Sequence, residues 1–152
     1  MKSKKNLVLV GMMGSGKSVI GKLLSKKLNL EFIDIDDRIE EFEKRNISEI
    51  FKQKGEEYFR NIEENISIKS LKLQNKIISL GGGGYMNSKI RNHIINTSIS
   101  IWLNWKDTTL INRIKNSKKR PLAYNSNDNE LIDLMKKRSK IYSKALFEIK
   151  CD

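Results

Sequence analysis

The segment 11–18, with the sequence Gly-Met-Met-Gly-Ser-Gly-Lys-Ser, constrains the fold of this chain more than any other feature. It matches the pattern G-x-x-x-x-G-K-[ST], in which backbone N–H groups of a glycine-rich turn surround phosphate groups. The pattern has this meaning only between a strand and a helix. An apolar run at 6–10 precedes it, and helical spacing of apolar residues over 18–28 follows it. The sequence therefore predicts a strand, a phosphate-binding loop and a helix, in that order.

The rest of the chain alternates between the same two kinds of pattern. Short apolar runs predict strands at 6–10, 31–36, 76–80, 98–103 and 147–151. Helical spacing predicts helices at 18–28, 37–45, 48–54, 56–73, 88–95, 107–114 and 131–146. Strands that alternate with helices form a parallel sheet covered by helices, so we expect an α/β fold with a central five-stranded parallel sheet. A length of 152 residues fits one domain, spanning residues 1–152.

Charge and cysteine content limit the compartments and partners that fit this chain. The formal net charge of +12 could serve nucleic-acid binding, but the lysines are spread along the chain, which favours a solvated basic surface. Cys151 is the only cysteine, so no intramolecular disulfide can form and the cytoplasm is expected. The apolar run 7–10 is too short for a signal peptide or a membrane span. We therefore expect no nucleic-acid partner and no membrane.

The residue types in the loop are those that nucleotide chemistry requires. Lys17 supplies a cation to the phosphate groups, and the Ser18 hydroxyl group can bind Mg²⁺. Backbone N–H groups of the loop and of the first helical turn are expected to contact the nucleotide; the residues concerned are Gly11, Met13, Gly14, Ser15, Gly16 and Val19. ATP and Mg²⁺ are therefore the expected cofactors.

Asp34 and Asp36 end the predicted strand 31–36. Side chains two residues apart on a strand point to the same face, so both carboxylates should lie together beside the phosphate loop. One could hold Mg²⁺, and the other could orient and deprotonate an attacking hydroxyl group. The alternative is that one of them caps the following helix. The nearby phosphate loop favours the functional interpretation.

Three further features are ambiguous when each is taken alone. The glycine run 81–84 could bring bare backbone close to a ligand or could form a flexible turn. Arg60 lies four residues from a glutamate on each side, at 56 and 64, a spacing typical of surface salt bridges. Arg138 lies on the apolar stripe of its helix, which would turn its side chain inward.

The polar segment 116–129 contains Arg120 and the only proline of the chain, Pro121. A long irregular segment in a compact domain is commonly a lid over a site. The sequence therefore predicts a mobile lid that carries Arg120, with a solvated loop charge as the alternative.

Taken together, these features resemble the shikimate kinase family. The motifs that carry the resemblance occur in the family's order: residues 11–18, Phe-Ile-Asp-Ile-Asp at 32–36, Gly-Glu-Glu-Tyr-Phe-Arg-Asn-Ile-Glu-Glu at 55–64, Ser-Leu-Gly-Gly-Gly at 79–83, Arg-Pro-Leu at 120–122 and Arg138. The resemblance implies a three-layer P-loop kinase fold with a lid. It also implies transfer of a phosphoryl group from ATP to the 3-hydroxyl group of shikimate. We expect the protein to be a monomer.

Roles for single residues follow from the same resemblance. The implied metal-site residues are Ser18 and Asp34, and the implied catalytic residues are Lys17, Asp36 and Arg120. The implied shikimate-binding residues are Asp36, Arg60, Gly82, Gly83 and Arg138. Arg120 would close on the phosphates, and Arg113 would lie near the adenine. Elementary chemistry agrees, because two arginines on helices can bind a carboxylate in two-donor fashion while a hydroxyl group faces the phosphate.

Two points stay open at this stage. The resemblance implies an adenine-contacting loop and a closing helix after the last strand, and we expect neither within residues 1–152. Another small P-loop kinase, acting on gluconate or a nucleoside monophosphate, would share the loop 11–18 but not the set of Arg60, the glycine run and Arg138. A nucleic-acid-binding protein would instead cluster stacking aromatic residues with its lysines.

Overall fold

The computed structural model of the chain describes residues 5–116 and 127–151. The strands in these residues are β1 Asn6–Val10, β2 Glu31–Asp34, β3 Lys76–Ser79, β4 Ser98–Trp105 and β5 Phe147–Cys151. The helices are α1 Lys17–Leu28, α2 Ile35–Glu43, α3 Ile47–Leu71, α4 Ser88–Thr97, α5 Asp107–Lys115 and α6 Asp128–Tyr142, with a 3₁₀ turn at Gly84–Met86. The strands form one parallel sheet in the order β2-β3-β1-β4-β5, which confirms the predicted five-stranded α/β sheet.

Strand β1 lies in the middle of this sheet, between β3 and β4. Val8 and Val10 are fully buried, as expected for a continuous apolar strand covered on both faces. Because all neighbours are parallel, the carboxyl ends of the strands meet along one edge. The phosphate loop follows β1 directly at that edge, which is where ligands bind in open α/β sheets.

Helix α1 packs on one face of the sheet through Gly21. A Cβ atom at this position would lie 2.2 Å from a ring carbon of Phe32 in β2, so only glycine allows the helix to approach so closely. The apolar residues that gave the helix its period do not form the buried stripe, because Val19 and Leu23 are more than 60% exposed. The periodicity therefore predicted the helix correctly but not the face that it buries.

The opposite face of the sheet is covered by α3 and α6. The Asn6 side chain in β1 donates to the Leu71 carbonyl oxygen at the end of α3, at 3.1 Å. The Tyr142 ring at the end of α6 lies 6.0 Å from the Trp102 ring of β4. Asn6 begins β1, so α3 ends on the side of the sheet away from the phosphate loop, and Tyr142 places the carboxyl end of α6 against β4.

Helix α3 contains a break at Gly55, whose φ of 84° is outside the helical range. The sequence predicted separate helices before and after this glycine, and the break confirms that reading. Beyond Gly55, one face of the helix buries Phe59, Glu63 and Ser67, which follow one another at four-residue spacing. A glutamate therefore lies on the buried stripe.

Several predicted boundaries are wrong. Strand β4 continues to Trp105 and not to Leu103, and α6 begins at Asp128, inside the predicted irregular segment 116–129. Strand β2 ends at Asp34 and helix α2 begins at Ile35, so the strand does not continue to Asp36. Helix α6 ends at Tyr142, and Leu146 lies beyond it with an exposed side chain. Of the predicted lid at 116–129, residues 117–126 lie outside the described part of the chain. Within the described residues, the helices are too short or too polar to cross a membrane.

Candidate active site

The phosphate loop has the backbone geometry that its glycines permit. Gly11, Gly14 and Gly16 have φ values of 145°, 79° and 83°, which residues with a side chain rarely adopt. The Lys17 amino group is buried and donates to the carbonyl oxygens of Gly11 and Met12, each at 2.9 Å. The lysine charge is therefore held inside the loop, next to the amino end of α1.

Asp34 joins the loop to the end of β2. The Ser18 hydroxyl group donates to Asp34 Oδ2 at 2.5 Å, and Asp34 Oδ1 accepts from the Asp36 backbone N–H at 3.0 Å. Asp34 thus caps helix α2, as the alternative interpretation expected, and also accepts from the serine of the loop; its role at Mg²⁺ stays a prediction.

The pair of Ser18 and Asp34 suits Mg²⁺ because it offers only oxygen atoms beside a phosphate site. Among the described residues there is no cluster of three or more histidine, cysteine or acidic side chains that could hold a metal. A small donor set of this kind fits Mg²⁺, which usually keeps water molecules and phosphate oxygens as its other ligands. We call residues 11–18 together with Asp34 the phosphate half of the site.

Asp36 reaches the site from a helix and not from a strand. The Asp34 cap ends the extended backbone, so Asp36 lies in the first turn of α2 and the expected alternation on one strand face does not apply. Its carboxylate lies over Gly81, because a Cβ atom there would be 2.6 Å from Asp36 Oδ1. The predicted alternation of the two aspartates on one strand face is therefore wrong, and Asp34 meets Asp36 through the backbone N–H of Asp36.

The glycine run 81–84 makes room for side chains. A Cβ atom at Gly81 would also lie 2.9 Å from Glu63 Oε1, and one at Gly83 would lie 2.6 Å from Arg60 Nη1. The glycines with positive φ among the described residues are elsewhere in the chain, so no unusual turn requires this run. The run allows charged groups to rest directly on backbone, an interpretation that the sequence did not provide.

Arg60 is paired with two glutamates of its own helix. Its Nη1 donates to Glu63 Oε2 at 2.7 Å, and its Nε and Nη2 donate to Glu56 Oε1 at 3.3 Å. Glu64, the other expected partner, instead accepts from Asn87 and Lys89. Burial by itself would lower the pKa of Arg60, but the charge and the hydrogen bond of Glu63 raise it above its ordinary value.

Glu63 is the site residue that sequence reasoning missed. It is 2% exposed, and burial raises the pKa of its carboxyl group above the ordinary value. Arg60 opposes this rise, whereas the nearby Asp36 carboxylate adds to it. The motif 55–64 includes Glu63 without giving it a role. Its position four residues after Phe59 on the buried stripe was the available signal.

Arg138 faces inward, as its place on the apolar stripe predicted. Its Nη1 lies 3.6 Å from Met12 Sδ and 3.3 Å from where a Cβ atom of Gly82 would stand. One turn later on α6, the Tyr142 hydroxyl group donates to the Gly82 carbonyl oxygen. The helix therefore brings a guanidinium group against both the glycine run and the phosphate loop.

The charged groups beside the glycine run form a second part of the site, which we call the acceptor half. Its members are Asp36, Arg60, Glu63, residues 81–83 and Arg138. It adjoins the phosphate half directly, since a Cβ atom at Gly82 would lie 3.2 Å from the Met13 nitrogen. Two cations and two carboxylates thus lie against the glycine run, which adjoins the loop, an arrangement that can bind an acid and orient a hydroxyl group.

Arg113 lies on the other flank of the phosphate loop. Its Nη1 donates to the Gly14 carbonyl oxygen at 3.3 Å, and its Cζ lies 3.8 Å from the centre of the Trp105 ring. The sequence singled out Arg113 only through the family resemblance and gave Trp105 no part in the site. Val19 lies in the first turn of α1, beyond the loop. Arg120 lies outside the described residues.

Comparisons with known proteins agree with this geometry. The family model of shikimate kinase matches residues 13–151. A shikimate kinase from Persephonella marina is 41% identical over 141 residues, which cover 93% of this chain and 85% of that protein. A shikimate kinase structure from Acinetobacter baumannii in complex with shikimate has a TM-score of 0.94 at 29% identity and covers 99% of this chain and 86% of its own. A shikimate kinase structure from Bacteroides thetaiotaomicron has a TM-score of 0.87 at 32% identity, and the match covers 96% of this chain and 86% of that one.

Proposed function

The chain belongs to the shikimate kinase family, and from this premise we propose how its residues transfer the γ-phosphoryl group of ATP to the 3-hydroxyl group of shikimate. The observation that supports the proposal is the meeting of two arginines and an aspartate over the glycine run, directly against the phosphate loop. A nucleoside monophosphate has no carboxylate for these arginines to bind. Gluconate does carry one, so the choice of shikimate over gluconate rests on the match to the shikimate kinase family.

The phosphate half binds and neutralises the transferring group. Backbone N–H groups of residues 11–18 and the amino end of α1 attract the phosphates, and the Lys17 cation stabilises the charge that develops during transfer. Ser18 and Asp34 would hold Mg²⁺. When bound, Mg²⁺ supplies further neutralisation of the phosphate oxygens.

The acceptor half binds shikimate. Arg60 and Arg138 bind its carboxylate through planar guanidinium groups, with Gly82 and Gly83 allowing a close approach to the backbone. Asp36 accepts a hydrogen bond from the hydroxyl group that attacks and takes its proton. Glu63 holds Arg60 in place through their 2.7 Å contact.

Two assignments rest on the family resemblance alone. Arg120 would close on the phosphates from the segment 116–129, and Arg113 would lie near the adenine. The described residues of both halves come from one chain, which supports action as a monomer; light scattering at enzyme concentrations used for kinetics would test this. Trp102 is buried against Tyr142, so its ring is not exposed for stacking on nucleic-acid bases, which supports the proposal of a small-molecule substrate.

A coupled ADP-release assay with ATP and Mg²⁺ tests the activity. The acceptors compared are shikimate, quinate, gluconate and nucleoside monophosphates. We expect efficient release with shikimate only. Release with gluconate or a nucleotide and none with shikimate would reject the substrate and leave phosphoryl transfer by the loop intact.

A further inference from the structure

Trp105, the last residue of β4, connects two parts of the nucleotide region. Its indole N–H donates to the Ser15 carbonyl oxygen at 2.9 Å, which ties the side chain to the phosphate loop. The same ring lies under the guanidinium group of Arg113, at 3.8 Å from Cζ to the ring centre. One aromatic side chain therefore fixes a planar cation at a set position beside the loop.

Trp105 and Arg113 lie on the side of the phosphate loop toward which the nucleoside of ATP must extend. The acceptor half contacts the loop at Met12 and Met13. A γ-phosphate directed to the acceptor half leaves the α-phosphate and its nucleoside on the opposite flank, because a triphosphate is a linear chain. Trp105 and Arg113 contact that flank, at Ser15 and Gly14.

The arrangement is suited to stacking a purine base. One face of the guanidinium group rests on the indole, and Arg113 as a whole is exposed, which leaves the other face accessible. A flat cation is attracted to an aromatic π-system and is weakly hydrated compared with an ammonium group. Trp105 restricts the many rotamers of the arginine side chain, so less conformational entropy is lost when a base binds.

We propose that Trp105 is a positioning residue for the nucleotide base: it holds Arg113 as a flat cationic platform on which the purine of ATP stacks. The proposal extends the function given above, because it rests on the loop binding ATP. It differs from a purely structural role, in which Trp105 would only maintain the shape of the phosphate loop. The two roles separate when a ligand with a base is compared with one that has phosphates alone.

Binding of ATP and of inorganic tripolyphosphate to Trp105→Leu makes this comparison. The variant keeps an apolar side chain but lacks the ring. Arg113 is exposed before ATP binds, and the stacked base would shield its cation–π contact from water, so we expect the Kd for ATP to rise about five- to thirtyfold. The Kd for tripolyphosphate should be unchanged within about twofold, since it has no base to stack. Equal weakening of both ligands, or of neither, would overturn the proposal.

Matched variants show how much of the ATP affinity depends on the Trp105 ring, on its indole hydrogen bond and on the planar guanidinium group of Arg113. Trp105→Phe keeps a ring and loses the indole N–H, so it should retain most of the ATP affinity. Arg113→Lys keeps the charge and loses the plane, so it should weaken ATP and spare tripolyphosphate. Lys115→Gln removes a cation on the same helix, one that pairs with Asp128, and should change neither ligand.

Tryptophan fluorescence gives a second readout that a structural role would not move. The chain has two tryptophans, so Trp102→Phe leaves Trp105 as the only one. In that variant, ATP should change the emission of Trp105 and tripolyphosphate should not. Identical responses to the two ligands, or none to ATP, would contradict the proposal. Both measurements are made without shikimate, so their failure is distinct from a failure of the acceptor assignment.

Discussion

The two halves of the site are built by different means. The phosphate half is one contiguous loop with its helix start, and it presents backbone groups whose positions follow from three glycines with positive φ. The acceptor half takes side chains from three helices, with Asp36 and Arg138 more than a hundred residues apart in sequence. It depends on tertiary packing, because the glycine run must lie beneath groups that come from α2, α3 and α6.

Because the two halves are built differently, substitutions in each half should have different effects on kinetics. Substitutions in the phosphate half should remove turnover with every acceptor. Substitutions in the acceptor half should change recognition of shikimate and leave ATP binding nearly unaffected. The predictions below test this separation, beginning with the largest effect.

Lys17→Met should lower kcat by about a thousandfold or more, because the lost charge serves the transferring phosphoryl group. The methionine stem fills similar space, so the melting temperature should change little. Steady-state kinetics and thermal unfolding monitored by circular dichroism measure both quantities. A fall in melting temperature as large as that of a core substitution would instead assign Lys17 a structural role, through its bonds to Gly11 and Met12.

Asp36→Asn should lower kcat by about a hundredfold or more, since an amide cannot accept the proton of the attacking hydroxyl group. The Kd for ATP should be nearly unchanged, because Asp36 lies in the acceptor half. Asp37→Asn is the matched control on the same helical turn, with an exposed side chain, and should keep its kcat. Unchanged turnover in Asp36→Asn would remove this residue from the mechanism.

Arg60→Lys and Arg138→Lys should each raise the KM for shikimate about ten- to a hundredfold, because each variant loses one charge-assisted contact worth roughly 1.5 to 3 kcal/mol. Net charge is constant, so the effect reports the lost planar geometry of two donors. The KM for ATP should be little changed. Arg38→Lys, at an exposed arginine paired with Glu31 and Glu41, is the control.

An analogue of shikimate with an amide in place of the carboxylate sharpens the same test. The parent enzyme should bind it poorly, and the two lysine variants should discriminate less between acid and amide. Equal phosphorylation of acid and amide by the parent enzyme would show that no carboxylate clamp exists.

Glu63→Gln should have the smallest effect, on the pH dependence of stability. Burial raises the pKa of Glu63 above 4.5, so the folded protein binds this proton more tightly than the unfolded chain. That stabilisation is fully present below the unfolded pKa and is lost as pH rises through the raised pKa. The variant lacks the titrating group, so its free energy of unfolding should fall less over that pH range than that of the parent protein. The difference between the two slopes should not exceed about 1.4 kcal/mol per pH unit.

Urea unfolding of both proteins from about pH 4.5 to pH 8 measures this difference. Glu64→Gln is the control, because hydrogen bonds from Asn87 and Lys89 lower the pKa of Glu64. Its contribution to stability is lost only as pH falls, so this variant should parallel the parent protein across the range. A stability difference between Glu63→Gln and the parent that is constant with pH would refute the prediction.

Much of the site region could be read from the sequence because its signals are local. Glycine spacing in residues 11–18 fixes the loop, and the alternation of apolar patterns fixes the order of strands and helices. The inward position of Arg138 follows from helical spacing alone. The roles given to these residues in catalysis stay predictions until the variants are measured.

The parts that the sequence did not predict depend on distances between elements. Whether Asp36 belongs to a strand or a helix is decided by the cap that Asp34 forms. The burial of Glu63 needs the glycine run to pass beneath α3, whereas its contact with Arg60 is made within the helix. Trp105 becomes part of the nucleotide region only because β4 ends beside Ser15.

The sequence by itself therefore determined the phosphate loop, the parallel α/β sheet and the family, since backbone conformation and periodicity are properties of short segments. Only the tertiary structure decided which charged groups meet over the glycines, which face of α1 is buried, and which ring supports Arg113. The physical reason is that these arrangements depend on residues far apart in the chain; even the neighbouring pair of Trp105 and Arg113 is held beside the loop through Ser15, ninety residues away. They form when the helices reach their final distances from the sheet, and those distances are set by close packing of the whole core.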